Sequence, residues 1–250
     1  MAFLINRSRC LILLIGGFVA MCMPQAARAA LEISLQEDGG PVTVIGPAAD
    51  FTDLSFNGTF GDFKIVFLGA SSDNGTVGGM PADLMTSTTK VTNTSGATHT
   101  LVIGVTQTDY TLPGGPTSTD VMTSHIGGSV NTGGVGQTLT FQSYANNSNG
   151  LFDTVGATTT GPQSPDVTGS SSSSFDSEPD PSVLFPRSSA MYSVTTYNTI
   201  TLVSGGTLNY ASTTTITGTP APAGFILAFA ACPALGLGAW LKRRARKALA

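Results

Sequence analysis

Asp53-Leu54-Ser55-Phe56-Asn57-Gly58-Thr59-Phe60-Gly61-Asp62-Phe63-Lys64-Ile65-Val66-Phe67-Leu68 sets two short apolar-rich runs, Asp53 to Phe56 and Phe63 to Leu68, on either side of a glycine-bearing break. The runs read as β-strands, with a turn that begins at Asn57-Gly58. The same texture extends in both directions. Upstream, Leu31-Glu32-Ile33-Ser34-Leu35 and Val42-Thr43-Val44 alternate. Downstream, Leu101, Ile103 and Val105 share one face of a run. Leu139 and Phe141 lie in another, Met191 to Tyr197 form a third, and Leu208 and Tyr210 begin the last. Asn74-Gly75 and Gly205-Gly206 are further hairpin candidates. No ten-residue stretch between Ala30 and Pro222 carries a helical period. Eight to ten short strands therefore predict an all-β domain, a single β-sandwich or jelly roll. A stack of repeats is the alternative architecture, but no self-similar period supports it.

One stretch has a different composition. Residues 156–187 hold Gly161-Pro162, Ser164-Pro165, the serine run Ser170 to Ser174 and Glu178-Pro179-Asp180-Pro181. Few apolar side chains are there to offset the entropy of ordering it, so it reads as a mobile Ser/Pro-rich loop inside a domain spanning 30–211. About thirty residues separate Arg187 from Pro222, too few for a second core. The Thr-rich residues 212–222 read as a stalk ending in Pro220-Ala221-Pro222.

Both ends of the chain speak about destination. Residues 1–29 carry Arg7 and Arg9, then an apolar stretch from Cys10 to Met23, then small residues at Ala27 and Ala29. That is the layout of a secretory signal peptide cleaved after Ala29. An uncleaved anchor and a lipoprotein signal ending at Cys22 are the competing readings, the latter opposed by Met21 where a small residue is wanted. At the other end, nineteen uncharged, mostly apolar residues, 223–241, would span about 28 Å as a helix, close to the ~30 Å hydrocarbon core. Trp240 stands at the interface, and residues 242–250 follow with Lys242, Arg243, Arg244, Arg246 and Lys247, a basic cluster that stays cytoplasmic and stops transfer. A buried C-terminal helix of a soluble domain is the bland alternative.

The order Pro-x-Pro, apolar segment with glycines in its second half (Gly236, Gly238) and terminal Arg/Lys cluster resembles the PEP-CTERM sorting signal of Gram-negative bacteria that make extracellular polymer. Ala221 stands where that family usually has Glu, so the match is to a Pro-Ala-Pro variant, covering about residues 219–250. The resemblance implies a membrane-embedded exosortase that cuts near Pro220-Ala221-Pro222 and delivers the protein to the cell surface or matrix. No family resemblance covers the β-domain.

Charge and cysteine content narrow the function classes. The chain carries 11 Lys and Arg against 15 Asp and Glu, a net charge of −4. Only Lys64, Lys90 and Arg187 lie between Ala30 and Pro222, while all fifteen carboxylates do, which leaves that region at −12. Nucleic acid is excluded as a partner, since phosphates need cations. Cys10, Cys22 and Cys232 all lie in the terminal segments, so the domain has no disulfide, thiolate nucleophile or Cys-liganded metal.

Candidate chemistry is sparse. His99 and His125 are the two histidines, and neither accompanies a Gly-x-Ser-x-Gly elbow or clustered metal spacing. Asp50 with Asp53, Asp73 with Asn74, and Asp176, Glu178 and Asp180 are oxygen-rich groups that calcium could use, yet none follows a spaced calcium loop. Tyr110 and Tyr144, near turns, are the aromatics that could stack on sugars. The expected function is a non-enzymatic surface or matrix protein with no catalytic, cofactor or metal residues. Its partners would be the membrane, an exosortase-like protease and, as a candidate, extracellular polysaccharide. The alternative is a surface-anchored polysaccharide- or calcium-binding module, with an extracellular hydrolase behind it.

Overall fold

Period-two patterning with β-branched residues produces thirteen strands in the computed structural model, which describes residues 30–48, 52–76, 80–169 and 173–219. In chain order they are β1 (Leu31–Glu37), β2 (Thr43–Ala48), β3 (Asp53–Phe60), β4 (Phe63–Asp73), β5 (Ala82–Asn93), β6 (His99–Tyr110), β7 (Thr119–Thr132), β8 (Thr138–Asn146), β9 (Thr158–Thr159), β10 (Ser173–Asp176), β11 (Ser182–Pro186), β12 (Tyr192–Leu202) and β13 (Thr207–Gly218). Every pairing is antiparallel. One sheet runs β2-β1-β6-β12-β8-β9 and the other β10-β7-β13-β5-β4-β3, with β11 also on β7. No helix occurs among the described residues. The architecture is the expected all-β one, two sheets consistent with a sandwich, but with more and longer strands than anticipated.

Alternation decides the core. Leu31, Ile33 and Leu35 of β1 face inward with Leu101, Ile103 and Val105 of β6, and all are fully buried. The second sheet supplies Phe63, Ile65, Leu68, Leu84, Ile126 and Ile216 to the same apolar cluster. Polar side chains cross between the sheets as well. Ser72 donates to Gln107 at 2.9 Å, Ser143 pairs with Thr214 at 2.6 Å, and Tyr110 donates its hydroxyl to the Asp83 carbonyl at 2.5 Å. Such contacts satisfy groups that would otherwise cost more than they contribute when buried.

Several sequence expectations are corrected. The β3–β4 turn is Gly61-Asp62, not Asn57-Gly58: Gly58 pairs with Ile65 beyond a bulge, and the ladder closes at Phe60↔Phe63. Gly61 adopts φ 53°, which a two-residue hairpin turn requires. Asn74-Gly75 lies in a longer β4–β5 connection. Gly205-Gly206 makes no hairpin, because it carries the chain from β12 in one sheet to β13 in the other. Residues 156–187, read as a loop, contain β9, β10 and β11 and bury Val167, Phe175, Phe185 and Arg187. A few well-placed apolar side chains are enough to seat an edge strand on an existing sheet. The stalk read over 212–222 starts too early, since β13 continues to Gly218 and buries Ser212, Thr214 and Ile216.

Candidate functional site

Three turns meet at one end of the two sheets. Glu37 ends β1 and Asp38 begins the turn after it, Asp62 sits in the β3–β4 turn, and His99 opens β6. His99 Nδ1 lies 2.6 Å from Asp38 Oδ2, and its Nε2 lies 3.3 Å from Asp62 Oδ2. Asp38, at φ 46°, is fixed by its amide donating to the Thr100 carbonyl and its Oδ1 accepting from the Thr100 amide. Glu37 accepts from the Asp62 amide at 2.9 Å. Its carboxylate occupies the space a Cβ on residue 61 would need, so Gly61 is required twice, for φ and for room.

The Asp38 hydrogen bond holds the His99 imidazole above its ordinary pKa, helped by the nearby charges of Asp38, Asp62 and Glu37. The hydrogen bonds from His99 and the Thr100 amide hold Asp38 below the usual carboxylate range. Protonated, His99 is a clamp between β1 and β6 of one sheet and the β3–β4 hairpin of the other. Deprotonated at Nε2, it joins Glu37 and Asp62 in offering three ligand atoms within 4.8 Å of one another. A nitrogen with carboxylates suits a transition metal better than calcium, which takes six to eight oxygens.

The second histidine has the same surroundings on an outer sheet face. His125 of β7 places Nδ1 2.7 Å from Asp180 and Nε2 3.6 Å from Asp176. Asp176 and Asp180 thus pin the β10–β11 connection to β7. Of the other oxygen-rich groups, Asp73 accepts from the Gly75 amide within the β4–β5 connection, and Asn74 ties that connection to Thr111 just beyond β6. Asp53 is exposed on β3, and Asp50 lies outside the described residues.

The aromatics divide sharply. Tyr110 belongs to the core, stacked on Tyr192 at 5.3 Å, and is unavailable to a sugar. Tyr144 lies half-buried on the outer face of its sheet, edge-on to Tyr197 at 6.1 Å. Sequence reasoning flagged His99 and His125 but missed Glu37, Asp38 and Asp62, which the chain brings together from separate turns. It also missed Arg187 as a structural residue, although it is the single arginine between Ala30 and Pro222. Ala27, Ala29, Pro220, Ala221, Pro222 and the basic cluster Lys242 to Lys247 lie outside the described residues, as does the apolar segment 223–241. Among the described residues no helix is long and apolar enough to cross a membrane.

No protein-family model and no curated protein matches the chain. Among solved structures it is similar to that of infectious bursal disease virus, Gx strain, at 9% identity and TM-score 0.27, covering 78% of this chain and 58% of that one. It is also similar to the Podospora anserina GH26-CBM35 β-(1,4)-mannanase at 13% identity and TM-score 0.22, covering 69% of this chain and 29% of that one. The chain therefore spans less than two thirds of either.

Proposed function

We propose that this chain is an exported, non-enzymatic protein of the cell surface or extracellular matrix, with residues 30–219 as its exported β-domain. A signal peptide ending at Ala29 exports it, the segment 223–241 and its basic cluster stop it in the membrane, and an exosortase-like protease processes it near Pro220-Ala221-Pro222. The carrying observation is the three-part C-terminal order of Pro-x-Pro, apolar segment and terminal basic cluster. The site geometry speaks against one enzymatic alternative, a serine–histidine hydrolase. A serine–histidine pair needs one imidazole nitrogen to accept the hydroxyl proton. In both histidines each nitrogen faces a carboxylate instead.

The test is the intact mass of the mature protein, recovered from the surface and medium of its own host. A mass ending near Pro222 to Phe225 supports sorting by proteolysis. A mass retaining Ala250 reduces the tail to an ordinary single-pass anchor. Turnover of glycans, esters or peptides at enzyme-like rates would sink the non-enzymatic reading.

A second reading, a surface-anchored module for a divalent cation, is favoured by the convergence of Glu37, Asp62 and His99. Titration calorimetry with zinc and calcium distinguishes it: heat of binding that His99→Gln abolishes supports it, and flat isotherms with both ions remove it.

A further inference from the structure

The outer face of the β2-β1-β6-β12-β8-β9 sheet holds a cavity of about 190 Å³, none of whose lining residues belongs to the His99 or His125 clusters. Ser34 and Gln36 of β1, Val42, Val102 of β6, Tyr197 of β12 and Phe152 from the β8–β9 connection line it. The floor is built by a close approach. Gly104 pairs with Tyr197 in the β6–β12 ladder, and a Cβ at Gly104 would stand 2.8 Å from the Tyr197 ring and run into the Ser34 hydroxyl. Glycine there lets the tyrosine ring lie down across the neighbouring strand. Tyr144, edge-on to Tyr197, supports it from the far side.

Phe152 is held over this floor by a strained loop. It adopts φ 53°, a left-handed conformation costly for a bulky side chain, while Asn149 adopts φ 58°, a conformation that asparagine takes more readily. The surrounding structure enforces them. Asn149 accepts from the Asp109 amide and its own amide group donates to the Asp109 carboxylate. Asn146 donates to the carbonyls of Asp153 and Val155, and the Phe152 amide reaches Thr106 Oγ1 at 3.4 Å. Strain held against the backbone in this way suits a wall kept in place before a ligand arrives.

The geometry points to a binding site for a single neutral pyranose ring of a polysaccharide, seated between Tyr197 and Phe152. The C–H face of a pyranose is apolar and packs against an aromatic face, while its hydroxyls need amide and hydroxyl partners. Ser34 and Gln36 line the cavity and Gln142 lies opposite Tyr197 on β8. The Ser34 hydroxyl donates to the Gly104 carbonyl, Gln36 Nε2 to the Gly40 carbonyl and Gln142 Nε2 to Thr159, which leaves the Ser34 hydroxyl oxygen and the side-chain carbonyl oxygens of both glutamines to accept from sugar hydroxyls. None of the six lining residues is charged. No strand of this sheet carries Lys or Arg, and Glu32 shares the face on β1, so a uronate or sulfated sugar would meet repulsion without a counter-charge. The volume is below the roughly 300–1,000 Å³ of sites for drug-sized ligands, which limits the occupant to about one ring.

The inference does not rest on the sorting reading, and its test is separate. Full-length protein, held in an amine-oxide detergent that carries no sugar, is titrated with gluco- and manno-tetraoses and, in parallel, with a uronic-acid tetramer and tetramethylammonium. Calorimetry and saturation-transfer NMR are the readouts. At least one neutral tetramer is expected to bind with a dissociation constant of about 1 mM, as the small contact area allows. Tyr197→Ala should weaken that binding tenfold or more at unchanged melting temperature, while Phe67→Ala on the other sheet leaves it intact. Should Tyr197→Ala disturb folding, Gln36→Ala decides, again by a clear loss. No neutral tetramer binding, equal or better binding of the uronate or the ammonium, or full binding by well-folded Tyr197→Ala would each overturn the proposal.

Discussion

Arg187 is wholly buried, whereas Lys64 and Lys90 are exposed. Its guanidinium donates to the carbonyls of Thr111, Gly114, Ser189 and Ala190 and lies 4.6 Å from the Tyr192 ring centroid. Asp120 is 3.9 Å away, at the limit of an ion pair, and burial pushes its carboxyl up despite the hydrogen bond from Ser118 and the charge of Arg187. The arginine therefore acts chiefly by gripping the backbone of two loops. Arg187→Met strands those carbonyls together with Asp120 and is expected to cost about 3–5 kcal/mol in urea unfolding. Asp120→Asn is expected to cost far less; equal losses would assign the effect to the ion pair. His99 gives a pH signature whose sign follows from the directions of shift. A raised imidazole pKa contributes stability that is complete below the unfolded value of about 6.5 and is lost as pH rises through the folded value. The depressed Asp38 pKa contributes stability above the unfolded value of about 3.9, lost as pH falls through the folded one. The gap in melting temperature between the natural chain and His99→Gln should be widest between those limits and close on the alkaline side. A gap that stays constant from pH 6 to above pH 8 would mean that the proton on His99 is irrelevant to the clamp.

At the scale of elements, the edge of β7 is covered by two short strands, β10 against Ser173↔Val130 to Asp176↔Gly127 and β11 against Ser182↔Thr123 to Pro186↔Thr119. Each is held by one principal side chain. Phe175 anchors β10, and Phe185, fully buried and 5.3 Å from the Tyr192 ring, anchors β11. Phe185→Ala is expected to lose about 3–5 kcal/mol, and amide exchange should then accelerate across β11 first. Loss of less than about 1 kcal/mol would mean that β11 is seated by its hydrogen bonds alone. The contrast with β1 and β6 explains what the sequence could convey. Leu31, Ile33 and Leu35 repeat a pattern that no turn would need, so those strands are legible by period. Runs as short as Ser-Ser-Phe-Asp and Ser-Val-Leu-Phe-Pro, set among serines and prolines, carry too little period to read, and β10 and β11 become strands only because β7 already offers its edge. Glycine pairs mislead for a related reason. They mark a change of direction, and Gly205-Gly206 uses it to change sheets. His99 was legible as a residue type, but its carboxylate partners come from turns that only the sheet order brings together.

At the scale of the whole molecule, the chain repeatedly crosses between sheets: β1 and β2, then β3 to β5, then β6, β7 and β8 in alternation, with β12 and β13 closing opposite faces. Without cysteine between Ala30 and Pro222, nothing covalent selects which strand lies over which. The buried polar pairs that span the sandwich can do so. A one-residue slip of β13 would turn Ser212 and Thr214 outward and present Thr213 and Thr215 to the core, stranding Asn198 and Ser143, which now meet Ser212 and Thr214. An apolar core would not discriminate as strongly, since many alternatives bury similar area. Pairing of this kind has a distinctive energetic profile. Ser143→Ala alone leaves the Thr214 hydroxyl buried without its partner and should cost about 1–3 kcal/mol, as should Thr214→Val alone. Ser143→Ala with Thr214→Val removes both polar groups and should be nearly neutral, so a double-mutant cycle in urea should return a coupling of at least about 1 kcal/mol. Additive losses would mean that each hydroxyl is satisfied independently, and register would then have to be selected by the apolar side chains and turns alone.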